Sequence, residues 1–131
     1  MLQFTAWGHP NVTGNHRTTL EFTKADGIGI KADCIIGVRA NFDCNKIKEF
    51  MKHSYDFVMH IVVGDESVSL TAQYNVKFDD DEEIVLRMGL HDSTRTLGLA
   101  ASMGANSLSR IMIERLKDPQ QEVLVQIEKT A

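Results

Sequence analysis

"LQFTAWGHPNVTGNHRTTLEFTK", Leu2 to Lys24, decides how the rest of the chain is read. Its first six residues alternate Leu2, Phe4 and Ala6 with Gln3, Thr5 and Trp7, the period-two signature of a half-buried strand. Gly8, Pro10, Asn11, Gly14 and Asn15 then supply turn chemistry. Alternation resumes with Thr18, Leu20 and Phe22 on one face and Arg17, Thr19, Glu21 and Thr23 on the other. The two runs read as a hairpin with an extended loop.

Working outward, "CIIGVRA" (34–40) is an apolar run of strand length, as expected of a strand covered on both faces. The period then becomes helical over 42–52, with Asp43 as N-cap and Ile47, Phe50 and Met51 inward. Strand-like runs follow at "FVMHIVV" (57–63), "SVSLTAQYNV" (67–76), "IVLRMGL" (84–90) and "TLGLAASM" (96–103). A second helix is expected over 107–117, capped by Asn106, with Leu108, Ile111, Met112 and Leu116 inward. "EVLVQIE" (122–128) closes the chain as a strand. The order is strand, strand, strand, helix, strand, stated twice, and the halves overlay at spacings that drift only between 62 and 66 residues. This reads as an internal duplication of about 65 residues, 1–65 and 66–131, within one domain. The expected fold is α+β and β-rich: a sandwich or partly closed barrel of about eight strands with two helices.

Composition narrows the class. At 131 residues with 43% hydrophobic and 24% charged side chains, the chain can bury a core of its own. Eighteen acidic residues against fourteen basic give a net charge of −4 without a Lys/Arg block, which disfavours a broad nucleic-acid face. "MLQFTAWGHP" lacks the basic and apolar regions of an export signal, and no run reaches the length of a membrane span. A cytoplasmic, membrane-free protein is expected, with Cys34 and Cys44 as reduced thiols rather than a disulfide framework. A homo-oligomer is compatible with the sequence, and no cofactor is expected.

The polar residues are unevenly divided. "GHPNVTGNHRTTLE" in the first half faces "YNVKFDDDEEIVLR" in the second, which has no histidine. Three chemistries compete for His9, Asn11, His16, Arg17, Thr19 and Glu21. Geometry argues against a zinc site with His9 and His16 as ligands and Glu21 as a third: His16 and Glu21, five apart in a strand, face opposite sides and lie roughly 16 Å apart, and two histidines alone leave the tetrahedron unfilled. An anion pocket suits Arg17 and Thr19 on one strand face, with His9 and Asn11 as loop donors and Glu21 either orienting Arg17 or repelling the ligand. Cysteine catalysis at Cys34 is disfavoured, because its apolar and acidic neighbours raise a thiol's pKa. Against all three stands a plain solvated strand face, with His16 at the core rim. The sequence therefore points to a small anionic ligand at the first-half hairpin, with catalysis by the same residues as an extension. A non-catalytic module docking protein or RNA on the hairpin or a sheet edge is the rival.

"GHPNV", "HRTTLE" and "DCIIGVRA", in that order within 33 positions, resemble an archaeal domain-of-unknown-function family, number three hundred and seventy-one. "RTLGLAASMGANSLSRIMIERLK" is similar to its C-terminal segment, so the likeness spans the chain. The resemblance implies a small β-sandwich-like domain and implies no activity. His9, Pro10, Asn11, His16, Arg17, Thr18, Thr19, Glu21, Asp33 and Cys34 fall in its signature positions, whereas "YNVKFDDDEE" departs from its second hairpin-like segment.

Overall fold

The alternating runs become strands β1 (Leu2–Trp7), β2 (Thr19–Thr23), β3 (Ile35–Gly37), β4 (Asp56–Val63), β5 (Glu66–Tyr74), β6 (Glu83–Arg87), β7 (Thr96–Leu99) and β8 (Glu122–Lys129). The helical runs become α1 (Cys44–Met51) and α2 (Arg110–Leu116). These come from a computed structural model that describes residues 1–130. All eight strands lie in one mixed sheet, ordered β1-β8-β4-β5-β7-β6-β2-β3. Its two ends curl round and meet at a single antiparallel bridge between Trp7 and Val38, with N–H to O distances of 2.9 and 2.8 Å. Asn41 N–H adds a third stitch to Thr5 O at 3.0 Å. The result is the expected β-rich α+β fold of eight strands and two helices, built on one sheet whose end strands touch only at that bridge. Among the described residues no helix is long and apolar enough to cross a membrane.

The hairpin expected over Leu2–Lys24 does not form. β1 pairs with β8, whereas β2 lies between β6 and β3. The third strand has entered between the first two, parallel to β2 and bridged to β1. Its entry needs a residue with no side chain. A Cβ on Gly37 would stand 2.9 Å from Ala6 Cβ and 3.0 Å from Phe22 Cδ1, closer than packed carbons tolerate.

The second half repeats this arrangement. β7 enters between β5 and β6, with Gly98 against Ala72 and Leu86 as Gly37 is against Ala6 and Phe22. Thr5 N–H bonded to Asn41 Oδ1 at 2.8 Å is matched by Thr71 N–H bonded to Ser102 Oγ at 3.0 Å. Arg39 and Ala100, each two residues beyond the close glycine, share left-handed φ angles of 52° and 50°. With the Trp7–Val38 bridge counted as joining β1 to β3, the set of neighbouring strands is unchanged when β1–β4 are exchanged with β5–β8. The reversal at Ala100 also explains why β7 stops at Leu99, well short of the strand expected to 103.

Both helices start on side-chain caps. Asp43 accepts from Lys46 N–H as expected, but α2 is capped by Ser109, accepting from Met112 N–H, rather than by Asn106. Asn106 N–H is held by His16 O at 2.9 Å, within a short 3-10 turn over Ala105–Ser107. The later start rotates the inward face, so Ile113 is buried and Ile111, expected inside, is 59% exposed. Strand interiors and helix faces share one apolar cluster, in which Phe4 packs edge-on against Phe22 and Phe42 at 5.5 and 5.7 Å. Burial of each such large side chain contributes about 1.5–3 kcal/mol.

Gly98→Ala tests the entry of the inserted strand. A Cβ there would lie 2.7 Å from Leu86 Cδ2 and 2.8 Å from Ala72 Cβ. The variant is expected to lose about 1–3 kcal/mol in urea unfolding. An unchanged midpoint would mean that β7 does not approach its neighbours this closely.

Candidate functional site

All five residues of β2 are buried, which is unusual for a strand with so many polar members. Leu20 and Phe22 point into the core, and Thr19, Glu21 and Thr23 point away from it. The chain on either side of β2 and β6 is tied in by backbone bonds, which bring the side chains of Cys34 and Arg95 to the outer face. Glu21 N–H bonds Cys34 O at 2.8 Å, His16 N–H bonds Asp33 O at 3.3 Å, and Val85 N–H bonds Arg95 O at 3.0 Å. On this face the ladder sets Thr19 opposite Arg87, Glu21 opposite Val85 and Thr23 opposite Glu83.

Glu21 sits at the centre with its side chain 5% exposed. Arg95 Nη1 lies 3.1 Å from Glu83 Oε2 and 3.9 Å from Glu21 Oε1, and Cys34 Sγ lies 3.9 Å from the same Glu21 oxygen. Burial first, and then the neighbouring Glu83 charge, push the Glu21 carboxyl up from the ordinary 4.5, Arg95 pulls it partly back, and the balance stands at about 7. Burial, with the Glu21 and Asp33 carboxylates, also pushes the Cys34 thiol up to about 11, so it carries its proton at neutral pH and is a poor nucleophile. Arg87 donates through Nε to Thr96 Oγ1 at 3.0 Å, and Thr96 Oγ1 shares a 2.8 Å bond with Ser93 Oγ. That contact leaves the terminal amino groups of Arg87 without a protein acceptor among the described residues. A proton-holding carboxyl therefore adjoins guanidinium groups on a partly covered surface.

The residues singled out from the sequence divide sharply. Thr19 and Glu21 are on this face, and Arg17 is exposed in the coil two residues before β2 rather than on a strand. His9 and His16 serve the backbone. His9 Nδ1 accepts from Asn11 N–H at 3.0 Å, and His16 Nδ1 accepts from Thr18 and Thr19 N–H at 3.2 and 3.1 Å. Both rings therefore carry their proton on Nε2. Asn11 spends its amide on Ile28 O at 2.8 Å. The second half does the same work with other side chains. Asn75 Oδ1 accepts from Lys77 N–H, and Asp80 Oδ1 accepts from Glu82 and Glu83 N–H.

Glu83, Arg87, Arg95 and Thr96 escaped the sequence reading. Glu83 and Arg87 alternate with buried Ile84 and Leu86, so their shared face was readable, but their pairing with β2 was not. A second constellation also emerges only in three dimensions. His60 Nδ1 lies 2.6 Å from Ser69 Oγ and Nε2 lies 2.9 Å from Glu128 Oε2. The three residue types are those of a hydrolytic triad, but the serine sits on Nδ1 and the carboxylate on Nε2, the reverse of a triad, and they stand on the outer pleat of β5, β4 and β8, where cross-strand bonding accounts for them. Among the described residues no group of three His, Cys, Asp or Glu side chains is placed to hold a metal ion.

Two outcomes follow from this geometry. A carboxyl whose folded pKa lies above its unfolded value holds its proton more tightly in the native state. The contribution of Glu21 to stability is therefore full below about pH 4.5 and is lost as pH rises to about 7, by on the order of 3 kcal/mol. Glu21→Gln removes that titration, so denaturant unfolding should show the variant gaining on wild type between pH 5 and pH 8. A constant difference over that range would refute the assignment. His16→Ala should cost about 1–2 kcal/mol through two lost backbone caps. His16→Asp, copying Asp80, should recover most of it, and equal losses in the two variants would refute the capping role.

Sequence comparison fits this picture of a whole-chain fold. The model of the domain of unknown function DUF371 matches residues 4–130. Uncharacterized protein MJ0206 of Methanocaldococcus jannaschii is 28% identical over 119 residues, which cover 86% of this chain and 88% of that protein. A match running from the first strand to the last makes the chain a member of the DUF371 family.

Proposed function

We propose that the protein binds a small anionic metabolite, bearing a phosphate or carboxylate, at the outer face of β2, β6 and β7. Arg87 and Arg17 are the anion contacts, Thr19 lies beside them, and Glu21 is a protonated hydrogen-bond donor within the same face. The observation that carries this reading is the Glu21 carboxyl, buried 3.9 Å from Arg95 Nη1, where burial and the Glu83 charge raise its pKa to about 7. An ionised Glu21 would repel an anion, whereas a protonated one donates to it. Arg87 has spare donors, and Thr18 O bonded to Met88 N–H at 2.9 Å keeps the segment before β2 close to the end of β6. His9, Asn11 and His16 act by shaping the loop rather than by touching the ligand. Proton transfer by Glu21 to or from a bound substrate is the catalytic extension of the same proposal.

The rival, a module docking a protein or RNA strand, has less to use. The hairpin is absent, and the end strands meet at Trp7 and Val38. Descent of the halves from one duplicated unit within a single domain is supported by the pairing order, and a cytoplasmic location by two unpaired thiols, Cys34 and Cys44.

Thermal shift with a panel of phosphorylated and carboxylated metabolites tests the site. At least one compound should stabilise wild type at pH 6, lose most of its effect above pH 7, and leave Arg87→Ala unmoved. Equal responses in wild type and Arg87→Ala, or none in either, would remove the proposal.

A further inference from the structure

The matching of the halves makes one difference between them informative. In the first half the Trp7 ring, on the outer face of β1, is covered by the Arg39 guanidinium at 5.2 Å from the ring centroid. Arg39 Nη2 also donates to Pro119 O at 2.6 Å, tying the chain after α2 to the sheet. The second half keeps the backbone of this arrangement. Gln73 pairs with Leu99, as Trp7 is bridged to Val38, and Ala100 follows with the same left-handed φ as Arg39. Gly8 N–H bonded to Gln121 O at 3.0 Å is matched by Tyr74 N–H bonded to Tyr55 O at 2.7 Å, so the segment around His53 stands where Pro119 does.

The side chains are what change. Gln73 replaces the tryptophan and Ala100 replaces the arginine, leaving a groove of about 510 Å³ in their stead. Its walls carry Asp56, Thr71, Gln73, Ala100 and Thr130 over a floor of Phe57 and Ala72. Alanine has no side-chain hydrogen bond to offset a left-handed φ, so the unfavourable turn is kept after the group it aimed has gone. The carboxylate of Asp56 and the amide oxygen of Gln73 are acceptors of the sort a planar, multi-donor cation uses. Lys129 pairs with Phe57 on the other face of the sheet and is engaged over the Phe50 ring at 4.6 Å.

We infer that this groove binds the guanidinium group of a small free ligand, in the place that Arg39 fills from within the chain in the first half. The planar fork of the guanidinium meets acceptors spread along the groove, which a compact ammonium does not span. The site is separate from the face around Glu21, so either assignment stands or falls without the other.

Arginine amide is the probe, followed through backbone amide resonances of the full chain. Its addition should move the signals of Thr71, Gln73, Ala100 and Thr130 in a saturable way, and lysine amide should bind more weakly. Ala100→Arg supplies the guanidinium within the chain, and Arg39 demonstrates that arginine adopts this φ. That variant should melt higher than wild type and lose the arginine amide response. Asp56→Asn, an exposed and near-isosteric change, should keep the fold and weaken binding about fivefold, the size of one solvent-exposed ion pair. An unchanged response in Ala100→Arg, equal affinity for lysine amide, or shifts scattered away from the groove would each overturn the inference.

Discussion

The entry of β3 between β1 and β2 is the constraint on which the rest of this molecule depends. It requires that Gly37 pass within ordinary contact distance of Ala6 and Phe22, and it joins the two ends of the sheet at Trp7 and Val38. Once β3 occupies that place, β2 ceases to be half of a surface hairpin and becomes an interior strand flanked by β6 and β3. The side chains that close over its outer face, Cys34 at the start of β3 and Arg95 before β7, then stand against Glu21.

Burial of a carboxyl is costly unless its charge is removed or matched. Here both devices operate: the proton is retained to about pH 7, and Arg95 reaches over from the start of β7 to Glu83 and Glu21. A purely structural role is satisfied more cheaply by threonine, which already holds the neighbouring positions 19 and 23 on the same face. A buried acid kept within reach of arginines on a partly open surface is the pattern expected of a group that handles a ligand.

The histidines of the first half illustrate how a polar residue can be chemically suggestive and mechanically ordinary. The acceptor nitrogen of His16 closes the turn into β2 as the Asp80 carboxylate closes the turn into β6, and His9 and Asn75 form a second such pair. The polar asymmetry between the halves is thus largely a difference in the residues chosen for one backbone task. What is unlike in the two halves beyond that lies elsewhere, in the Trp7 and Arg39 stack and its missing counterpart.

Alternation and period switching determined the identity and order of nearly every element, because side-chain direction in a strand or helix is a local property of the backbone. The same parity correctly separated Leu20 and Phe22 from Thr19, Glu21 and Thr23. The cap at Asp43 was equally local, whereas the start of α2 was not, since His16 O holds Asn106 in a turn from far along the chain. Only the tertiary structure decided which strands are neighbours, and so whether the outer face of β2 meets water. Pairing is set by long-range contacts such as that of Gly37 with Ala6 and Phe22, and no window of neighbouring residues carries that information. For this reason Glu21 was visible as a candidate from its own strand, while Glu83, Arg87 and Arg95 became its companions only when β6 and β7 were laid beside it.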